Sequence, residues 1–117
     1  MQLTTEQIGL ITVVKLEGRL DAVVSDDLHD SLITLLHQGK KLIVVNCYEV
    51  SFLSSSGMRT FLTVAQLIQK LDGKICFCGF SHVIQEVLQL SGISKYFNHC
   101  TTLQEATLIL HSPKDLK

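Results

Sequence analysis

Short apolar runs alternate with longer amphipathic stretches along the whole chain. Residues 10–17, 41–45 and 74–79 have the length and apolarity of strands, and the nearly unbroken run 41–45 is typical of a central strand covered on both faces. Residues 2–8 are expected to pair antiparallel with the first of these strands, and residues 98–101 to form a short edge strand. One face of the first strand is expected to carry Leu10, Val14 and Leu16.

Four stretches with a helical spacing of apolar residues fall between and after these strands. The first helix is expected to begin at Ser25, whose hydroxyl can cap it, and to end at Gly39. The second follows a serine-rich segment and runs through Leu71, the third begins at the cap residue Ser81, and the last covers about residues 102–111. The inward-facing residues of the third helix are expected to be Val83, Ile84, Val87 and Leu88.

Strands that alternate with helices predict an α/β fold, with a central mixed, mostly parallel sheet of four to five strands and about four helices. The chain has 117 residues, of which 46% are hydrophobic and 18% are charged, so it can bury the core of one compact domain. No linker, repeat or low-complexity segment divides it. Residues 1–117 are therefore expected to form a single domain that ends in a loose charged tail at 112–117.

The composition argues against several classes of function. The net charge is -1 and the basic residues form no stripe, so nothing favours binding to nucleic acid. No apolar run approaches the roughly 18 residues of a spanning helix, and the N-terminus lacks a signal-peptide pattern, so we expect a cytoplasmic protein without membrane insertion. The cysteines and histidines show no metal-site spacing, and we expect buried, reduced thiols and neither a metal nor another cofactor.

The segment SFLSSSG at 51–57 joins an apolar strand to an apolar helix. Its three consecutive serines, Ser54, Ser55 and Ser56, lie where the first backbone N–H groups of the helix lack partners. One serine is enough to cap the helix, so at least one hydroxyl should remain at an exposed corner. Because a helix N-terminus favours negative charge, this corner suits a phosphate that acts outward without rebuilding the fold.

Four segments, in order along the chain, resemble those of a known family. They are GRLD at 18–21, VVN at 44–46, VSFLSSSG at 50–57 and LQLSGISKYF at 88–97. With this order and spacing over essentially the whole chain, the sequence resembles the STAS domain family. In length it is similar to the stand-alone bacterial anti-sigma factor antagonists, and the resemblance implies a single STAS-like domain.

The resemblance also implies a partner-switching protein that is not an enzyme. In that family the unphosphorylated antagonist binds an anti-sigma factor that is also a serine kinase, and this frees the sigma factor. Phosphorylation of a loop serine weakens the complex, and a serine phosphatase reverses it. The family's motif is usually D-S-S-G or D-S-T-G, which implies that Ser55 is the acceptor and that Ser54 replaces the usual Asp. The implied partner-binding residues are Asp21, Ser25, Asn46, Ser54, Ser56, Gly57 and Arg59.

Two other classes of function stay open at this point. Some proteins that resemble this one are accessory chains of lipid transporters or scaffold parts of stress-signalling complexes, so the chain can instead be a subunit that is not phosphorylated. A hydrolase would need an elbow such as G-x-S-x-G, or a base beside a nucleophile, and SFLSSSG lacks the glycine before the serine. The sequence favours a binding module over an enzyme.

Overall fold

The computed structural model describes residues 2–111, and the tail expected at 112–117 lies outside them. Within this part of the chain, five strands alternate with four α-helices, as predicted, and there is one short 3-10 helix at Ile93–Tyr96. The order is β1 Gln2–Ile8, β2 Ile11–Leu20, α1 Ala22–His37, β3 Leu42–Leu53, α2 Ser55–Lys70, β4 Lys74–Cys78, α3 His82–Ser91, β5 Asn98–Cys100 and α4 Leu103–His111. None of these described helices combines the length and apolarity needed to cross a membrane.

The strands form one sheet in the order β1-β2-β3-β4-β5. Strand β1 is antiparallel to β2, whereas all other neighbours are parallel, which confirms the predicted mixed, mostly parallel sheet. The antiparallel pair is joined by a tight turn at Gly9, whose φ of 59° lies in the left-handed region. Because β2, β3 and β4 run in the same direction, their carboxyl ends and the N-termini of the helices that follow them meet at one edge of the sheet.

Both faces of the sheet are covered, because its central strands are apolar at successive positions. Ile43 and Val45 of β3 pack with α1, α2 and α3 on one face, and Val44 packs on the opposite face with α4. In the larger core, Phe61 of α2 and Phe77 of β4 have ring centroids 4.5 Å apart. These helix layers fix the central strands, and with them the positions of the strand ends.

Strand β2 begins one residue later than predicted, and its inner face keeps the predicted phase. Leu10 is 77% exposed in the turn before the strand, while Thr12 is buried on the same face as Val14 and Leu16. The expected position of Leu10 was wrong because the hairpin turn takes up this residue. The buried Thr12 is tolerated because its hydroxyl donates a hydrogen bond to Oε1 of Gln7 at 2.8 Å.

Helix α1 begins earlier than predicted. Its N-cap is Asp21, whose Oδ1 accepts a hydrogen bond from the backbone N–H of Val24 at 3.1 Å. Ser25 lies within the helix, and its hydroxyl donates to the carbonyl of Asp21 at 2.7 Å. The prediction that Ser25 is the N-cap is wrong, because Asp21 directly follows the last residue of β2 and offers an equally good cap residue sooner.

Helix α3 confirms its predicted ends but not its predicted inner face. The hydroxyl of Ser81 accepts from a backbone N–H of the first turn at 3.3 Å, and Gly92 ends the helix with a φ of 77°. Ile84 and Leu88 are buried as expected, whereas Val83 is 70% exposed. Val87, expected inward too, is also exposed. The helix packs along one narrow i, i+4 line, so residues on its flank reach the surface.

Candidate partner-binding surface

Strand β3 is longer than its apolar run predicted. It continues through Leu53, eight residues beyond the apolar run 41–45. Strand β4 accompanies β3 only as far as Asn46, and beyond this point the described sheet pairs β3 with β2 alone. We call this two-stranded part, residues 17–20 with residues 49–53, the β2–β3 extension. It carries the serine-rich segment past the end of β4.

Ser54 connects the start of α2 to the end of β2. It is the N-cap of α2, and its Oγ accepts a hydrogen bond from the backbone N–H of Gly57 at 3.0 Å. Its own backbone N–H donates to the carbonyl of Leu20 at 3.0 Å. The capping that we expected of one serine is therefore done by Ser54, the residue at the motif position where the family usually has Asp.

Ser55 is the first residue of α2, and its side chain is exposed. Its hydroxyl makes no hydrogen bond to another residue in the described part of the chain. It lies at the positive end of the dipole of a 16-residue helix. Ser56, the next residue, is half-buried. Ser55 therefore presents a hydroxyl to solvent that the fold does not use.

Asp21 follows the tip of the β2–β3 extension, whereas Asn46 precedes its base, and each side chain accepts a hydrogen bond from the backbone. Asp21 is exposed and caps α1, and since the preceding Leu20 accepts the hydrogen bond from Ser54, the N-termini of α1 and α2 are neighbours. Asn46 is half-buried, and its Oδ1 accepts from the backbone N–H of Tyr48 at 3.0 Å. This bond shapes β3 where it parts from β4.

Ser25 and Gly57 lie beneath the surface that they were expected to form. Ser25 is only 1% exposed, and Gly57 is buried in the first turn of α2. A Cβ atom on Gly57 would lie 2.7 Å from Cδ1 of Leu53 and 3.1 Å from Cδ2 of Leu20. The glycine thus lets α2 approach the ends of β2 and β3 closely. Neither residue therefore presents a side chain at the surface.

Arg59 is exposed and lies four residues after Ser55, on the same flank of α2. Both residues line a groove of about 380 Å³ between α2 and the end of α3. The other residues that line the groove are Met58, Leu62, Ser91, Gly92, Ile93 and Tyr96. Among these described residues only Arg59 is charged. Apolar walls beside a single arginine are features of protein interfaces, in which aromatic residues, Met and Arg are enriched.

A larger cavity, of about 620 Å³, lies at the opposite end of α2. Its lining includes Gln69 near the end of α2, Lys74 at the start of β4, and Asn98 at the start of β5. None of the phosphorylation or partner-binding residues expected from the sequence lines it, although Lys95, Tyr96 and Phe97 belong to the segment 88–97 and Tyr96 lines both cavities. The larger cavity is thus not part of the surface around Ser55.

Sequence reasoning missed two exposed aromatic residues beside this surface. Phe52 of the β2–β3 extension is 38% exposed, and the guanidinium of Arg19 lies 4.1 Å from the centroid of its ring. Tyr48 is 51% exposed, donates from its hydroxyl to the carbonyl of Thr101 at 3.0 Å, and packs its ring on Gly79. The contact between Arg19 and Phe52 could have been located from the register of the two strands, because these residues are partners in β2 and β3.

The family model described as "STAS domain" matches residues 2–106, which is nearly the whole chain. The chain therefore belongs to the STAS domain family, as the resemblance of its four segments implied.

Two curated relatives and one solved structure illustrate this membership. BtrV of Bordetella bronchiseptica, provisionally named an anti-sigma factor antagonist, is 25% identical over 97 residues, which cover 83% of this chain and 84% of that protein. The anti-sigma-B factor antagonist of Staphylococcus aureus is 26% identical over 80 residues, covering 68% of this chain and 74% of that protein. The fold is shared with Bacillus SpoIIAA in its phosphorylated form, with a TM-score of 0.71 at 23% identity, covering 94% of this chain and 100% of that chain.

Proposed function

We propose that this chain is an anti-sigma factor antagonist that works by partner switching. Its unphosphorylated form binds an anti-sigma factor that is also a serine kinase. Phosphorylation of Ser55 weakens this complex, and a serine phosphatase restores the binding form. Membership in the STAS family and relatives named as anti-sigma factor antagonists support the proposal. The chain itself acts as a binding module and as a substrate, not as an enzyme.

The observation that carries the proposal is the division of work between Ser54 and Ser55. Ser54 caps α2, while the exposed hydroxyl of Ser55 serves no structural bond within the described residues. A phosphate on Ser55 therefore displaces nothing that holds the fold. The first backbone N–H groups of α2 and the helix dipole favour the added negative charge.

The phosphate would change the groove rather than the core. A phosphoserine brings about 1.5 to 2 negative charges at neutral pH. Arg59 lies one helical turn from Ser55, within reach of an i, i+4 ion pair. The guanidinium that a partner can engage in the unphosphorylated protein would then be engaged by the phosphate. Added bulk and charge at the rim of the groove also oppose docking of a partner built for the uncharged surface.

Ser54 in place of the usual Asp is consistent with this assignment. Ser and Asp are comparably good N-cap residues, so the replacement preserves the start of α2. It also removes a carboxylate next to the acceptor, which makes a dianion on Ser55 electrostatically easier to accommodate.

The test uses the serine kinase of the anti-sigma type from the same organism, with ATP and magnesium. We expect one phosphate on the wild type, none on Ser55→Ala and one on Ser56→Ala, as read by intact-protein mass spectrometry. Ser56→Ala is the matched control, since it changes the neighbouring serine of the same motif. Phosphate that persists on Ser55→Ala would refute the site.

Binding of the same kinase gives an independent measure. Ser55→Asp should weaken the complex at least tenfold, about 1.4 kcal/mol, while Ser55→Ala should bind like the wild type. The thermal midpoint of both variants should stay close to that of the wild type, because the side chain is exposed. Unchanged binding of Ser55→Asp, with no phosphate on the wild type, would favour the alternative of a constitutive accessory or scaffold subunit.

A further inference from the structure

Two cysteines on neighbouring strands lie close together on the α4 side of the sheet. Sγ of Cys76 in β4 is 3.5 Å from Sγ of Cys100 at the end of β5. No disulfide is present among the described cysteines, and both residues are thiols. We propose that Cys100 and Cys76 are a modification site, at which a small disulfide of the glutathione type oxidises the pair to an intramolecular disulfide. The proposal does not depend on the proposed function.

The fold allows the two sulfur atoms to close the remaining gap. A disulfide needs an S–S distance of about 2.05 Å, so the sulfurs must approach by roughly 1.5 Å. Strand β5 has only three residues and lies at the edge of the sheet, where β4 is its single strand neighbour in the described sheet. A short edge strand of this kind can shift with little loss of pairing, whereas a central strand cannot.

The other two cysteines have different contacts, although Cys78 lies in the same cluster as Cys76 and Cys100. Cys47 is fully buried in the core on the opposite face of the sheet, with its thiol directed at the carbonyl of Val45. Cys78 is the register partner of Cys100, but its sulfur accepts a hydrogen bond from the backbone of Cys47. The chain therefore supplies two matched control cysteines, Cys47 and Cys78.

The order of reaction follows from exposure. Cys100 is half-buried, whereas Cys76 is fully buried, so an external disulfide reaches Cys100 first. The Cys100 thiol loses its proton, its thiolate attacks one glutathione sulfur, and a glutathione thiolate leaves. Cys76 then loses its proton and attacks Sγ of Cys100, which forms the Cys76–Cys100 bond and releases the second glutathione thiolate. In total one glutathione disulfide is reduced to two thiols, and the two cysteines are oxidised by two electrons.

The pH dependence should reflect the surroundings of Cys100. Burial raises the pKa of its thiol, the Glu105 carboxylate of α4 raises this pKa further, and hydrogen bonds from Cys76 and from the backbone of Thr102 oppose the rise. The thiol of Cys78 faces it from β4, and burial raises the pKa of that thiol to about 12. Because the thiolate is the attacking species, the reaction should accelerate as pH rises above neutrality.

The experiment treats the reduced full chain with oxidised glutathione and reads the products by intact mass and peptide mapping after alkylation. We expect the wild type, Cys47→Ala and Cys78→Ala to lose two hydrogen atoms without retaining glutathione, with the bond mapped to Cys76 and Cys100. Cys76→Ala should stop at a mixed disulfide on Cys100, and Cys100→Ser should remain unmodified.

Three results would overturn the proposal. The first is a wild type that does not react or that retains glutathione. The second is a wild-type disulfide that joins Cys100 to Cys78 instead of Cys76. The third is an intramolecular disulfide that still forms in Cys100→Ser. Circular dichroism checks that each variant is folded. If Cys76→Ala does not fold, the wild type and Cys100→Ser still decide, because Cys100 lies at the less buried end of the pair.

Discussion

Replacement of Ser54 tests the division of work at the start of α2. In Ser54→Ala the hydroxyl that accepts the 3.0 Å bond from the N–H of Gly57 is lost, and no other side-chain bond of Ser54 occurs among the described residues. Loss of such a cap destabilises a protein by about 1 kcal/mol, within a range of roughly 0.5–2. Ser54→Asp keeps an acceptor and places a carboxylate at the positive end of the dipole, which stabilises by about 0.3–1 kcal/mol.

Urea unfolding followed by circular dichroism measures these differences. With a denaturant slope of about 1–3 kcal/mol per molar, a loss of about 1 kcal/mol lowers the urea midpoint by roughly 0.3–1 M. Ser55→Ala is the matched control, because its exposed hydroxyl is unbonded and its change should stay within about 0.5 kcal/mol. The expected order of midpoints is Ser54→Asp at or above wild type, then wild type, then Ser54→Ala. A larger loss in Ser55→Ala than in Ser54→Ala would refute the assignment of the cap.

Two further predictions concern buried groups. In Gly57→Ala the new Cβ would lie 2.7 Å from Cδ1 of Leu53, so this buried side chain must shift. The overpacking, about 1–3 kcal/mol, should offset the gain of about 1 kcal/mol in helix propensity, so the thermal midpoint should not rise; a midpoint clearly above that of wild type would contradict the close packing. Burial raises the pKa of Cys78 from 9.0 to about 12, so the folded thiol keeps its proton where the unfolded one loses it. The contribution of this thiol to the free energy of unfolding should therefore be fully present below about pH 8.5 and be lost towards pH 12, by up to about 1.4 kcal/mol per pH unit. Urea unfolding of Cys78→Ala at several pH values should show a shallower decline in stability than that of wild type.

The alternation of strands and helices was predictable because burial leaves a clear period in the sequence. The run at 41–45 is apolar at every position except Lys41, and its residues 42–45 form the part of β3 that is covered on both faces. The last part of β3 lies in the β2–β3 extension, where Glu49 and Ser51 are exposed. Such a segment has no apolar run to mark it, because its strand conformation comes from pairing with β2, and pairing is not visible in one sequence.

The site was predictable only in part, for a different reason. The surplus of hydroxyls in SFLSSSG indicated an exposed serine, but the sequence did not determine which of three neighbours would cap the helix. The structure places the cap at Ser54 and exposes Ser55. Ser25 was misplaced because Asp21 and Ser25 are both acceptable caps, and the choice depends on where β2 ends. Arg19 was not predicted because its contact with Phe52 depends on the register of two strands.

The β2–β3 extension has a mechanical consequence for binding. Beyond Asn46, β3 is paired with β2 alone in the described sheet. The helix that follows it, α2, packs in the larger core through Phe61, whose ring contacts that of Phe77. The backbone hydrogen bond from Ser54 to Leu20, together with the burial of Leu20 and Leu53, fixes the tip of α2 to this ribbon. The position of Ser55 is therefore set by the end of the sheet as well as by its own helix.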